Sequence, residues 1–213
     1  MSGIVLIGGG GHCRSVADTV KRTGKYENIY IVDPNLEAGS GICGAKVAGG
    51  DEVLPELYEK GITLAHITVG SISSTVLRHK LYEKAKEIGF SFPNIIDPSA
   101  IVADDVTYGA GIFVGKHTVV NSDAILDDCC IINTGSIVEH CCRIGSFTHV
   151  AVGATVCGDT SIGNDSLVGA GSTVIQGLHI GSNVIVGAGA VVTGDVSDNH
   201  RVVGVPAQCK CKR

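Results

Sequence analysis

Residues 150–168 read VAVGATVCGDTSIGNDSLV, and every sixth residue of this stretch is a valine or an isoleucine. The same spacing runs without an insertion through fourteen positions from Val114 to Val192, all of them Val, Ile or Leu. A six-residue period fits neither the 3.6-residue repeat of a helix nor the two-residue alternation of a strand. It is typical of a solenoid in which three short strands and three tight corners form one eighteen-residue coil. We therefore predict a parallel β-helix that is stabilised by the stacking of its coils.

The residues around each aliphatic position support this prediction. Two residues earlier the chain carries mostly small side chains, among them Ala124, Cys130 and Cys142. Side chains of a strand alternate in direction, so both positions point into the coil, where a free cysteine acts as a small apolar residue. One residue later the chain often carries glycine, as at Gly163 and Gly169. We expect these glycines to provide the positive φ of a corner.

Composition excludes several classes of protein. The 213 residues carry a net charge of −5 and no long block of Lys or Arg, which disfavours binding to nucleic acid or to an anionic membrane. The chain has neither a run of about 18 apolar residues nor a secretory signal pattern, so we expect no membrane insertion and a cytoplasmic location. Nine cysteines without a signal peptide favour a reducing compartment. Because their spacing is not of the zinc type, we expect no metal, and a reduced tail is favoured over a metal site at Cys209 and Cys211.

The N-terminal residues have the pattern of a nucleotide-binding unit. Residues 3–7 form a continuous apolar run that predicts a buried parallel strand, and four glycines, Gly8 to Gly11, follow directly. A predicted helix over residues 13–22 leads to a second predicted strand, residues 29–32, with Asp33 at its tip. Glycines admit a ligand close to the backbone, and a helix N-terminus favours a phosphate. This ligand-binding interpretation is preferred to a plain tight turn, and a nucleotide-sugar pyrophosphate would suit it as well as a dinucleotide.

Further elements complete a small domain of three or four parallel strands. We predict helices over residues 51–60 and 71–88 and a strand over residues 65–69 that ends at Gly70. The predicted fold is a Rossmann-like parallel α/β domain over residues 1–91, followed by the β-helix and a C-terminal tail over residues 92–213. The tail is expected to fold back over the last coil.

Outward-facing histidines are the candidate general bases, because a neutral imidazole accepts a proton near pH 7. His140 lies two residues after an inward valine and should project outwards, and His149 lies nine residues further along. His117 and His179 are expected to be inert surface residues.

A combination of motifs carries a specific resemblance to a known family. The motifs are Gly8-Gly9-Gly10-Gly11-His12, Asn133-Thr134 with Val138-Glu139-His140, Phe147 to Gly153, and Gly204-Val205-Pro206-Ala207. With the paired domains they resemble the hexapeptide-repeat acyltransferases that carry an N-terminal nucleotide-sugar domain. This branch includes UDP-4-amino-sugar N-acetyltransferases, perosamine N-acetyltransferases and sialic-acid O-acetyltransferases. The resemblance covers essentially the whole chain and implies a left-handed β-helix and a homotrimer.

The resemblance also implies roles for matching residues. His140 would be the general base that takes a proton from the attacking sugar amine, and Asn133 would help to hold the acceptor. The acetyl donor would be acetyl-CoA, contacted by His149 and by coils near Gly158, Ala170 and Ala188. The nucleotide-sugar would be held by Gly10, Gly11, His12, Asp33 and Gly70.

One position departs from the family pattern. The residue after the catalytic histidine is usually Asp or Glu, whose carboxylate orients the ring, but here it is Cys141. Glu139 should face away from His140, because neighbouring residues of a strand point to opposite sides. Three interpretations stay open: a carboxylate from elsewhere, such as one of a neighbouring subunit, takes the role; the base is weaker; or Cys141 carries the acyl group itself, which is disfavoured.

Three other functions compete with sugar N-acetylation. A sugar O-acetyltransferase of the sialic-acid type would need a stronger base, so the missing carboxylate favours an amine acceptor. A non-catalytic trimeric binding or assembly protein is supported only by Cys141. A β-helix carbonic anhydrase would need three histidines converging on zinc, and His117, His140 and His149 are not spaced for it.

Overall fold

The computed structural model describes residues 3–210, which form two compact units. The first contains residues 3–71 and 75–98, and the second contains residues 72–74 and 99–210. Residues 92–98, which the sequence analysis assigned to the second domain, therefore lie in the first unit. Thr19 donates a hydrogen bond to the buried Asp97 carboxylate over 2.7 Å, and Arg22 pairs with the same group at 3.4 Å. These contacts hold the segment after Ile88 against the first unit.

The first unit is a five-stranded sheet with helices. Its strands are β1 (Gly3–Ile7), β2 (Asn28–Val32), β3 (Gly41–Ile42), β4 (Ala45–Gly49) and β5 (Leu64–Ile67), in the order β3-β4-β2-β1-β5. The last four in this order are parallel, and β3 pairs with β4 in the antiparallel direction. Every residue of β1 is buried, as its apolar run predicts. A further short strand, β6 (Ile95–Ile96), also belongs to this unit.

Three helices are present among the described residues: α1 (Gly11–Thr23), α2 (Leu54–Glu59) and α3 (Val76–Ile88). A 3₁₀ turn, Asp51–Val53, leads into α2, so the helix predicted over residues 51–60 is shorter than expected. The predicted start of the last helix at Ser71 is wrong, because residues 71–75 are not helical and α3 begins at Val76. None of the helices within residues 3–210 has the length and apolarity that crossing a bilayer would require.

The second unit is built from two-residue strands that recur every six residues. They are β7 (Ile101–Val102), β8 (Thr107–Tyr108), β9 (Phe113–Val114), β10 (Val119–Val120), β11 (Ile125–Leu126), β12 (Ile131–Ile132), β13 (Ile137–Val138), β14 (Arg143–Ile144), β15 (His149–Val150), β16 (Thr155–Val156), β17 (Ser161–Ile162), β18 (Leu167–Val168), β19 (Thr173–Val174), β20 (His179–Ile180), β21 (Ile185–Val186) and β22 (Val191–Val192). Each strand pairs in parallel with the strand eighteen residues away, for example Val150 with Val168. The predicted coil is therefore observed.

The strands form three faces. Face 1 contains β9, β12, β15, β18 and β21, face 2 contains β7, β10, β13, β16, β19 and β22, and face 3 contains β8, β11, β14, β17 and β20. Residues 133–136 and their equivalents in the other coils form corner I, between faces 1 and 2. Residues 139–142 and their equivalents form corner II, between faces 2 and 3. Residues 145–148 and their equivalents form corner III, between faces 3 and 1.

The chain after the last complete coil extends face 1. Strand β23 (Arg201–Val203) pairs in parallel with β21, and β24 (Gln208–Cys209) returns antiparallel to β23. The tail thus folds back at the end of the coil, as predicted. Cys209 is exposed, and Cys211 lies outside the described residues.

The interior contains the predicted aliphatic and small residues. Val114, Leu126 and Val150 are buried, and so are the cysteines Cys130 and Cys142. Burial raises the pKa of the Cys142 thiol to about 11, so this cysteine is unreactive at neutral pH.

Glycine follows several inward aliphatic residues for a different reason from the one predicted. Positive φ falls three residues after each inward residue from Val114 to Val186, for example at Cys141 and Asp159, and not at Gly163. A Cβ at Gly163 would lie 2.5 Å from Ser182 N and 2.6 Å from Gly181 C in the next coil. The expectation that these glycines provide positive φ is therefore wrong: at Gly163 the close approach of the next coil leaves no room for a side chain.

Candidate active site

The glycine-rich loop lies at the carboxyl edge of the first unit's sheet. Strands β1, β2 and β5 are neighbours and parallel, so the loops that follow them meet at one edge. The Gly9 N–H donates a 2.7 Å hydrogen bond to Asp33 Oδ2, which joins the first loop to the second. A Cβ at Gly10 or Gly11 would meet no atom within 4 Å, so the backbone at the start of α1 is open to a ligand.

The other residues predicted to bind the nucleotide-sugar lie at the same edge. A Cβ at Gly70, after β5, would lie 3.6 Å from the Cβ of His12. Desolvation acts to raise the pKa of Asp33, but hydrogen bonds from the Gly9 and Asn35 N–H groups outweigh it and lower that pKa. Asp33 therefore stays ionised at neutral pH. Asn35 was not predicted, although an Asx turn after a strand tip is a recognisable signal.

A groove of about 440 Å³ runs along face 1 and corner I of the second unit. It contains three of the four residues predicted to contact acetyl-CoA, His149, Ala170 and Ala188. Its wall is mostly apolar and includes Ala151, Val152, Leu167, Gly169, Val186 and Gly187, with Ile72 and Ser73 from the short segment assigned to this unit. Arg201 also lines the groove and was missed, because its place on face 1 depends on how the tail pairs.

Asn133 and His149 are joined inside this groove. Asn133 Oδ1 accepts a 2.8 Å hydrogen bond from the Thr134 N–H, and its Nδ2 lies 3.1 Å from His149 Nε2. Because Oδ1 is used by the backbone, the amide NH₂ faces the imidazole. Nε2 of His149 is then an acceptor, which fixes the neutral tautomer with the proton on Nδ1. Asn133 thus lies beside the residue predicted for the donor.

His140 lies on corner II, exposed to solvent. A Cβ at Gly158, one coil later, would lie 2.5 Å from His140 Cε1 and 2.6 Å from its Nε2. The imidazole therefore rests against the main chain of Gly158. Gly158 is thus at the corner of His140 and not among the groove residues, and its predicted contact with acetyl-CoA stays a prediction.

A carboxylate lies close to His140, although the residue that follows this histidine is Cys141. A ring nitrogen of His140, Sγ of Cys141 and a carboxylate oxygen of Asp159 all lie within 4.8 Å of one another. Glu139 Oε2 instead accepts a 3.0 Å hydrogen bond from Asn121 Nδ2 in the preceding coil. Asp159 was missed, although counting eighteen residues on from Cys141 would have found it.

The surroundings of Cys141 disfavour a covalent role. Desolvation, followed by the charges of Asp159 and Asp123, raises the pKa of the thiol, as does its hydrogen bond to Asp159. A thiol is a poor nucleophile compared with its thiolate. Cys141 is therefore mainly a hydrogen-bond donor at neutral pH.

The remaining histidines of the coil do not gather with His140. His179 Nδ1 lies 2.8 Å from Ser161 Oγ, and the His117 N–H donates to Ser99 Oγ over 3.3 Å. Within residues 3–210, the group that offers three ligand atoms close together is His140, Cys141 and Asp159, not a set of three histidines. The arrangement expected of a β-helix carbonic anhydrase is thus not present in the described chain.

Comparison with known proteins places this geometry in a family. The PglD N-terminal domain model matches residues 3–85, and the bacterial transferase hexapeptide (six repeats) model matches residues 159–194. Among solved structures, a histidine-to-alanine variant of GDP-perosamine N-acetyl transferase from Caulobacter crescentus, with CoA and GDP-perosamine, is 37% identical. The match covers 100% of this chain and 98% of that one, with a TM-score of 0.91. The chain belongs to the nucleotide-sugar N-acetyltransferases of the hexapeptide-repeat family.

Two further structures are similar over their whole length. The acetyltransferase domain of PglB from Neisseria gonorrhoeae FA1090, in complex with acetyl coenzyme A, is 33% identical, covers 98% of each chain and has a TM-score of 0.91. WeeI from Acinetobacter baumannii AYE is 21% identical, covers 99% of this chain and 100% of its own, and has a TM-score of 0.74. The second match supports the fold alone.

Membership of the nucleotide-sugar N-acetyltransferases confirms two predictions. One is the fold class, a Rossmann-like α/β domain followed by a left-handed parallel β-helix. The other is the enzyme class, an acetyl-CoA-dependent sugar N-acetyltransferase. The roles of the individual residues stay predictions.

Proposed function

We propose that this nucleotide-sugar N-acetyltransferase transfers the acetyl group of acetyl-CoA to the amino group of a nucleotide-linked 4-amino-sugar, with His140 as general base. The observation that carries the proposal is the corner I groove, which combines an apolar wall with His149 and Asn133 at one side. It is supported by the relatives, of which one is described with CoA and GDP-perosamine and another with acetyl coenzyme A.

The groove suits a long, unbranched acyl donor. Neighbouring coils are about 4.8 Å apart, and the wall carries Ala170 and Ala188 at the same corner position in successive coils. Small residues leave a channel wide enough for a pantetheine arm. Arg201 offers a guanidinium in the same groove, and this group pairs well with a phosphate.

The glycine-rich edge of the first unit suits the nucleotide part of the acceptor. Helix α1 begins at Gly11. Its N-cap residue is Gly10, which has no side chain to accept a hydrogen bond from the N–H groups of the first turn. N–H groups at such a start favour an anion, and the open space at Gly10 and Gly11 lets a pyrophosphate approach them. Gly10, Gly11, His12, Asp33 and Gly70 are accordingly proposed to bind the nucleotide-sugar.

The reaction follows from these placements. The unprotonated amine attacks the thioester carbonyl, and His140 accepts the proton that the nitrogen loses. Backbone N–H groups stabilise the oxyanion of the tetrahedral intermediate. The intermediate then collapses with loss of the CoA thiolate, which leaves an amide on the sugar. No covalent acyl-enzyme is needed.

Completion of the site calls for a second copy of the chain. His140 lies on corner II, whereas the groove lies on corner I, and face 2 separates the two corners. We infer a homotrimer in which corner II of one subunit faces the groove of its neighbour. Val152 on corner I and Ile175 on corner II are apolar and exposed, as expected of surfaces that such a contact would cover.

The experiment measures CoA thiol release with a panel of nucleotide-linked 4-amino-sugars, beside free sialic acid. The variant His140→Ala should lower kcat by roughly 10²–10⁴-fold, with little change in KM for acetyl-CoA. The variant His179→Ala removes another exposed histidine of the coil and serves as the control. An unchanged kcat in His140→Ala would remove this residue from the mechanism, and release with sialic acid alone would move the chain to the O-acetyltransferases.

A further inference from the structure

The sequence leaves His140 without the carboxylate that usually follows the catalytic histidine in this family. Cys141 occupies that position, with a φ of 58°. Asp159 follows Cys141 by one coil and has nearly the same φ of 57°. The Asp159 N–H donates a 3.0 Å hydrogen bond to the carbonyl oxygen of His140, so the two corners are stacked directly. An acidic side chain is thus present beside the histidine, but it comes from the next coil.

We propose that Asp159 is the positioning residue for His140, and that the Cys141 thiol holds the Asp159 carboxylate beside the imidazole. This inference rests on the proposed function, in which His140 is the general base. It assigns to the chain itself the carboxylate whose source the sequence left open.

Three contacts define the cluster. His140 is fixed against Gly158, where a Cβ would come within 2.5 Å of the ring. The reactive atoms of His140, Cys141 and Asp159 lie within 4.8 Å of one another. The Cys141 thiol lies within this distance of the Asp159 carboxylate, which also acts to raise the pKa of the thiol. The side chains of Cys141 and Asp159 therefore both lie beside the His140 imidazole.

The nearby acidic groups do not compete for this role. Glu139 Oε2 accepts hydrogen bonds from Asn121 Nδ2 at 3.0 Å and from the backbone N–H of His140 at 3.4 Å. Asp123 lies one coil before Cys141 and acts on its thiol, but it is not in the cluster with His140. Within residues 3–210, Asp159 is thus the carboxylate that shares a cluster with the imidazole.

The carboxylate acts through His140 and does not touch the reacting atoms. The carboxylate accepts a hydrogen bond from the N–H of one ring nitrogen. This bond forms either directly, once the two exposed side chains rotate, or through one water molecule. The other ring nitrogen is then free to accept the proton of the amine. Hydrogen bonds of this kind are often long before substrate binds and become short in the complex. The Asp159 carboxylate would balance the positive charge of the imidazolium that forms.

The test compares two aspartates at the same corner position. Asp159→Asn keeps the positive φ, because Asn tolerates it, and removes the charge. We expect kcat to fall by about 10–100-fold, as for other residues that orient a functional histidine, with KM for acetyl-CoA unchanged. Asp123→Asn, one coil before Cys141, is the matched control and should leave kcat unchanged. In the His140→Ala background, Asp159→Asn should have no further effect, since it acts through that ring.

A rescue variant separates positioning from a structural role. Adding Cys141→Asp to Asp159→Asn restores the adjacent carboxylate with no change in the number of charges, and most of the lost kcat should return. Buffers contain a reductant and a chelator, because the cluster offers donor atoms for a metal ion. Equal losses in the two Asn variants, or no recovery on rescue, would overturn the inference. Full activity of Asp159→Asn would overturn it while the proposed function stands, whereas a wild-type chain inactive on every acceptor would overturn the proposed function itself.

Discussion

Corners I and III of the β-helix have the same backbone but opposite surfaces. At corner III, polar side chains cap the N–H groups of the preceding coil: Asn164 Oδ1 accepts from Ser146 N at 2.9 Å, Ser182 Oγ from Asn164 N at 3.1 Å and Asp198 Oδ1 from Ser182 N at 2.8 Å. At corner I the equivalent positions carry Val152, Ala170 and Ala188, which have no polar side-chain atoms.

The difference shows how one repeat serves two purposes. Corner III is closed by its own side chains and therefore contributes to stability. Corner I is left open, and the groove forms there. At the positive-φ position of corner I, an added Cβ on Gly171 would meet no atom within 4 Å. At the equivalent position of corner III the chain carries the larger residues Phe147 and Asn183. The glycine at the positive φ of corner I, such as Gly171, is therefore not required by packing between the coils.

The largest expected effect distinguishes the two kinds of glycine. Gly163→Ala puts a methyl group 2.5 Å from the backbone of the next coil at corner III, and we expect a loss of about 3 kcal/mol from the free energy of unfolding. The measurement is denaturant unfolding followed by circular dichroism. Gly171→Asn at corner I, with open space and a tolerated φ, should be nearly neutral. Equal losses in both variants would contradict the distinction between crowded glycines, such as Gly163, and open ones, such as Gly171.

A second prediction concerns the open corner. Ala170→Leu narrows the groove without touching the interior, and we expect the affinity for acetyl-CoA to fall about tenfold, which corresponds to about 1.4 kcal/mol. Isothermal titration calorimetry measures the loss. Asn164→Leu places the same side chain at the equivalent position of corner III and should bind acetyl-CoA normally. Normal binding by Ala170→Leu would exclude this groove as the donor site.

The smallest expected effect tests the closed corner. Asn164→Ala removes the acceptor of the Ser146 N–H, and because this group is exposed to water we expect a loss of only about 1 kcal/mol in the free energy of unfolding. KM for acetyl-CoA should not change. Ala188→Gly, at the equivalent position of corner I, is the control that removes a side chain without removing a hydrogen bond. A change in KM with unchanged stability in Asn164→Ala would reverse the roles given to the corners.

Local signals made much of the first unit predictable. Strand β1, the glycine loop and α1 were expected because an apolar run, four glycines and a helical pattern follow one another. Strand β4 was missed, since Ala45–Gly49 contains a lysine and a glycine and gains its partners only in the sheet. The start of α3 was misplaced because residues 71–75 are polar or β-branched and can continue a loop as readily as begin a helix.

The sequence alone determined the six-residue period and the inward residues, because side-chain direction in a strand follows from spacing. The outward position of His140 depends on the corner that follows Val138. The tertiary structure decided which side chains meet across coils: Asn133 with His149, Gly158 with His140, and Asp159 with Cys141. These pairs lie 16 or 18 residues apart, and their contacts depend on rotamers and hydrogen bonds that form only when coils stack. Corner I is open and corner III is closed, although the two corners share one backbone pattern. Only the packing between coils shows which backbone N–H groups are capped by side chains.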